Sequence, residues 1–229
     1  PADPDAFLAF AHGGVDRVVA TGSDDAVAVM DAALPSVAFE GRGHGFGAVW
    51  VAEPDADPAP VALDVAAYDQ HGCLSPQLVA VAGDDPRPFA ERLHRALLDV
   101  ERVLPRGAVD PALGARIVQW IGAAAAGGTL WRGPTHAVAA LDGAVPGSPG
   151  ARHVAVVAVP DVAALVARLG PARRFVTTVG VAGAADLAGT LAEILAPARV
   201  VPAGTMQDPP LDGPEDPRPP VRRAATTRR

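Results

Sequence analysis

Short apolar runs of strand length alternate with amphipathic stretches of helical length, and this alternation restricts the fold more than any other feature of the chain. Residues 78–82, 135–141, 153–159 and 174–181 read as strands, and residues 88–104, 111–126, 162–169 and 184–195 as helices. In the first helix Phe89, Leu93, Ala96, Leu97, Val100 and Leu104 share an apolar face, with Arg87, Glu91, Arg92, Arg95, Asp99 and Glu101 elsewhere on its surface. The second closes at Gly127-Gly128. Nearer the start, residues 16–20 form a strand, Thr21-Gly22-Ser23 a turn, and residues 25–34 a helix with Val27, Met30 and Leu34 on its apolar side. Strands over 36–39 and 48–51 flank a glycine-dense loop, residues 40–47, and residues 199–202 form a last strand. Such a succession predicts an α/β protein whose sheet is mostly parallel and covered on both faces.

Charge and cysteine usage narrow the function. A net charge of −7 with dispersed arginines argues against the basic face that nucleic-acid binding needs, so no nucleic-acid partner is expected. Arg222, Arg223, Arg228 and Arg229 read as a solvated tail. No stretch is long and apolar enough to span a bilayer, the start carries no signal-peptide pattern, and one cysteine makes no internal disulfide; a cytoplasmic setting is expected. The six histidines are scattered without metal-ligand spacing.

The one cysteine, Cys73, falls between two ordered elements. Val61, Val65 and Tyr68 lie at helical spacing before it, and the strand of residues 78–82 follows. Gly72 is expected to bend the connection, and Ser75-Pro76 to leave amides near Cys73 that favour a thiolate or meet an oxyanion. The same position suits a small buried hydrophobe. His71 and His44 are the imidazoles that could hold a thiolate or pass a proton, the alternative being loop histidines bonded to backbone.

Tyr68-Asp69-Gln70-His71-Gly72-Cys73-Leu74-Ser75-Pro76-Gln77 resembles the active-cysteine segment of the LuxC-type acyl-CoA reductases, a branch of the aldehyde dehydrogenase superfamily, which reads D-Q-Q-(A/G)-C-x-S-P-(Q/H). Val19-Ala20-Thr21-Gly22-Ser23-Asp24 resembles the turn that family places beside the nicotinamide, and Gly43-His44 its glycine-histidine turn. The run from Gly204 to Asp212, followed by Arg218-Pro219, resembles the family tail G-x-M-Q-x-P-P-L-D-W-x-H-D-G-R-P, with Gly213, Glu215 and Pro217 as departures.

The resemblance implies the C-terminal catalytic portion of an aldehyde-dehydrogenase-like protein. Residues 1–40 would be the last unit of a Rossmann-type domain whose front part is missing, 41–200 the catalytic cysteine domain and 201–229 an arm. It implies reduction of a long-chain fatty acyl-CoA, or an acyl-protein thioester, to fatty aldehyde with NADPH or NADH through an acyl-Cys73 intermediate. Thr21, Gly22 and Ser23 would contact the cofactor, and Met206 and Gln207 the substrate channel. A second copy of the chain or an acyl-transferase would be the partner. The Cys73 amide is one oxyanion donor, and no asparagine is present to supply a side-chain amide. Two alternatives stand beside this reading. One is a non-catalytic fragment or acyl-transfer subunit of the same fold, suggested by Asp24 and Asp25 at the cofactor turn. The other is a hydrolytic aldehyde dehydrogenase with Glu40, 33 residues before Cys73, as general base.

Overall fold

The computed structural model describes residues 4–184, 188–209 and 218–223. The chain forms two units, Pro1–His44 with Arg218–Arg229, and Gly45–Pro217. The first unit begins with α1 (Pro4–Gly14), β1 (Arg17–Thr21), α2 (Asp24–Ala33) and β2 (Ala38–Arg42). β1 and β2 pair in parallel, from Arg17 opposite Ala38 to Thr21 opposite Arg42. Ser23 caps α2, its Oγ accepting from the Ala26 N–H at 3.2 Å. Ala11, Leu34 and Val37 make a small core with Phe7, Leu8, Val18 and Met30.

The second unit runs β3 (Phe46–Val51), α3 (Ala59–Ala66), a 3-10 turn (Ala67–Gln70), β4 (Pro76–Ala82), α4 (Arg87–Val103), α5 (Pro111–Gly127), β5 (Gly128–Arg132), β6 (Ala137–Leu141), β7 (His153–Val159), α6 (Val162–Leu169), a second 3-10 turn (Gly170–Phe175), β8 (Val176–Ala182), α7 (Ala188–Leu195) and β9 (Arg199–Pro202). Its seven strands are ordered β5-β6-β7-β4-β3-β8-β9. Every neighbouring pair is parallel except β5 with β6. Alternate residues serve opposite layers. Ala48, Trp50, Leu78 and Ala80 pack with Trp120, Leu165 and Leu191, while Val49, Val51, Val79 and Val81 pack with Val61, Val65, Phe89 and Leu93. Burial on both faces is why these strands read as continuous apolar runs. Because the inner strands are parallel, the segments that enter β3, β4, β7 and β8 share one edge of the sheet, and Cys73 precedes β4 there.

The chain then returns to the first unit, where β10 (Val221–Arg223) pairs antiparallel with β2, Val221 opposite Gly41, to give the order β1-β2-β10. Arg222 and Arg223 therefore belong to a strand rather than to a solvated tail. α1 is an element the sequence reading does not contain, and β5 and β10 are strands the apolar pattern does not announce, lying at sheet edges. The strand expected at 174–181 starts at Val176, after a 3-10 turn. The helix expected from 184 is described from Ala188. The departures at Gly213, Glu215 and Pro217, and Arg228 and Arg229, lie outside the described residues.

Candidate active site

The backbone from α3 to β4 is shaped by Tyr68, Asp69 and Gln70, with φ of 51°, 52° and 59°. The helical face expected to include Tyr68 therefore stops at Ala66, and Tyr68 is exposed. Gly72 does not provide the bend, since its φ is not in the left-handed region. Its importance is close approach, because a Cβ there would lie 3.3 Å from Ser75 Oγ and 3.4 Å from Gln207 Oε1.

Cys73 sits half-buried on the turn that follows, closed by the Ser75 N–H donating to Gly72 O at 3.1 Å. The Cys73 carbonyl accepts from Thr177 Oγ1 of β8 at 2.6 Å. Ser75 does not act as a helix cap; it is buried, its carbonyl accepting from Gly47 N–H at 2.8 Å and its Oγ from Gln207 Nε2 at 3.0 Å. Gln70 spans the turn from one end to the other, its Nε2 donating to Pro76 O at 2.7 Å.

Gln207 is thus brought to the cysteine turn, and Met206 lies fully buried beneath it. A Cβ on Gly47 would be 2.6 Å from Met206 Cε and 2.3 Å from Leu74 O, and one on Gly180 would be 2.7 Å from Met206 Sδ. Asp64 of α3 holds this loop by accepting the N–H groups of Gly204 and, at 3.1 Å, Met206. Burial pushes its carboxyl up to about 6, against the lowering effect of those two bonds. His71 is exposed two residues before Cys73, its N–H donating to Tyr68 O at 2.9 Å.

The other expected site residues lie in the first unit. Thr21, Gly22 and Ser23 are exposed at the carboxyl end of β1, and Gly22 N–H donates to Arg42 O at 3.1 Å. The Gly43-His44 turn closes onto this end, His44 N–H donating to Asp24 Oδ1 at 2.7 Å. Arg218 donates to His44 O at 2.6 Å. Glu40 is ion-paired with Arg42 at 3.0 Å and with Arg17 at 4.0 Å. Asp64, Asp69, Gln70, Arg152 and Thr177 escaped the sequence reading. For Asp69 and Gln70 a signal existed, since both stand inside the cysteine motif.

Solved structures with the same architecture include a bifunctional proline utilization A protein, at 20% identity and TM-score 0.63 over 84% of this chain and 22% of that one. A second is the NADP-dependent glyceraldehyde-3-phosphate dehydrogenase from Bacillus halodurans C-125, at 16% identity and TM-score 0.60 over 83% and 45%. A third is the gamma-glutamyl-gamma-aminobutyraldehyde dehydrogenase from Burkholderia cenocepacia J2315, at 16% and 0.61 over 87% and 46%. The chain spans less than half the length of each. With its mostly parallel sheet, the protein has the aldehyde-dehydrogenase-like α/β fold. A model of the family described as acyl-CoA reductase (LuxC) matches residues 9–216, and the chain belongs to that family. No curated protein matches it.

Proposed function

We propose that this chain carries the acyl-accepting cysteine of a long-chain acyl-CoA reductase, forming fatty aldehyde from a fatty acyl-CoA or acyl-protein thioester. The carrying observation is the Cys73 turn, tied down by Thr177, Gln70 and Gln207 in a chain of this family. The Cys73 thiolate attacks the thioester carbonyl carbon. The bond from that carbon to the coenzyme A sulfur breaks, the acyl group stays on Sγ, and the departing thiolate takes a proton. His71 is assigned to hold the thiolate or supply that proton. Met206 and Gln207 are assigned to the wall of the acyl channel.

NADPH or NADH, when bound, supplies the hydride that converts the acyl group to aldehyde. The residues assigned to it fit a neutral part of that molecule. Thr21, Gly22 and Ser23 lie exposed outside the carboxyl ends of two parallel strands, as in dinucleotide-binding sheets. Asp24 and Asp25 in the first turn of α2 oppose a phosphate there. Pro1–His44 would accordingly be the end of a nucleotide-binding domain and Gly45–Pro217 a catalytic domain, working in the cytoplasm. The hydrolytic alternative is weaker because the Glu40 carboxylate is engaged by two arginines.

Intact-mass spectrometry after exposure to a long-chain acyl-CoA tests the reading. An acyl mass on the wild type that is missing from Cys73→Ala is expected; a folded wild type with no adduct sinks it and favours a non-catalytic role.

A further inference from the structure

Five non-glycine residues among those described have positive φ: Tyr68, Asp69 and Gln70, together with Ala151 (53°) and Arg152 (67°). All five lie in two segments, and the segments are bonded to each other. Ala151 N–H donates to Asp69 O at 2.8 Å, and His153 N–H to Gln70 Oε1 at 2.7 Å. Arg152 Nε donates to Asp69 Oδ1 at 2.7 Å. The Arg152 side chain, 2% exposed, also pairs with Glu101 and donates to Leu104 O, each at 2.8 Å. Gly107 N–H satisfies the second Asp69 oxygen at 2.9 Å.

A left-handed residue of this kind is strained and persists only where its surroundings over-determine it. A buried ion pair is a poor way to offset that strain, since apolar residues of similar volume commonly stabilise as well or better. Strain and buried charge together thus lie against the loop that begins three residues before Cys73. Gln70 links the cluster to the turn directly, by accepting from His153 and donating to Pro76.

We propose that Asp69, Gln70 and Arg152 are positioning residues for Cys73, fixing the turn between Gln70 and Pro76 so that the thiol meets its electrophile in one geometry. This rests on the reading of Cys73 as the acyl acceptor. A displacement of about 1 Å at a reacting group can cost on the order of a hundredfold in rate.

Tyr68→Gly and Asp69→Asn test the role, beside Asp99→Asn, which touches only the exposed pair with Arg102. Arg152→Ala is unsuitable because it strands two carboxylates. Acylation by a long-chain acyl-CoA, the pH profile of Cys73 alkylation by iodoacetamide, and thermal unfolding are measured on each. Tyr68→Gly should be at least as stable as the wild type, because glycine adopts φ near 51° without strain. Because it keeps the shape of the turn and every contact of Asp69, Gln70 and Arg152, it should acylate as the wild type does, whereas acylation of Asp69→Asn should fall about tenfold or more and its alkylation midpoint should move, neither happening in Asp99→Asn. A merely structural role would make rate follow stability. Wild-type acylation and an unmoved midpoint in folded Asp69→Asn overturn the proposal. If wild-type Cys73 takes iodoacetamide but no acyl group, the acyl-transfer reading fails, and the midpoint alone decides positioning: a shift upholds it and no shift overturns it.

Discussion

Asp64 governs a contact at the end of a three-link path. Its carboxylate holds Gly204 and Met206, Met206 precedes Gln207, and Gln207 reaches Ser75 on the cysteine turn. Burial raises its pKa from 3.8 to about 6, so between those values the folded chain binds more proton than the unfolded one. Its contribution to stability is therefore greatest below pH 4 and declines as pH climbs to 6, by at most about 3 kcal/mol. His136 does the reverse. Burial, with His94 and His153 nearby, lowers it to about 4, so stability is lost as pH falls from 6.5 toward 4. The two slopes oppose each other in the wild type, and variants should separate them. Across pH 4–6 in urea denaturation, the wild type's stability minus that of His136→Gln should rise with pH, and minus that of Asp64→Asn should fall. Parallel profiles would refute both assignments.

Helix α4 shows what periodicity can and cannot specify. Phe89, Leu93 and Leu97 are buried as their spacing predicts, whereas Leu104, expected on the same face, follows the end of the helix and is exposed, as is Val103 at 83%. Leu93→Ala should cost about 2–5 kcal/mol in denaturant unfolding and Val103→Ala about 0.5 or less; equal losses would mean that α4 is not seated by this face. The inner strands were legible because a two-sided apolar run has few other uses, and α6 because Leu165 and Leu169 mark one buried side. β5 and β10 were not, since short edge strands derive their order from pairing partners distant in sequence. The cysteine turn was legible as a motif but not as a shape. Periodicity places Tyr68 on a helix, and only the contacts of Asp69 and Gln70 with residues 150–153 hold it in the left-handed region.

At the scale of the molecule, the first unit is assembled from both ends of the chain and the second from one uninterrupted stretch. A sequence divided into the consecutive blocks 1–40, 41–200 and 201–229 cannot express such a unit. The cores of Gly45–Pro217 are made of its own residues, so that segment alone should fold. Expressed separately, it should melt cooperatively, with Leu93→Ala lowering its midpoint; a non-cooperative melt would show that it depends on the first unit.

The pairing of β10 with β2 bears on the order of events during synthesis. β2 is made well before Val221–Arg223, which must follow before its outer edge is covered. At about 5–20 residues per second, the nascent chain carries an open strand edge for roughly ten seconds or more, while Gly45–Pro217 can already be folding. An unpaired edge is a template for the wrong neighbour, so the first unit is most exposed to aggregation before β10 has been made and paired.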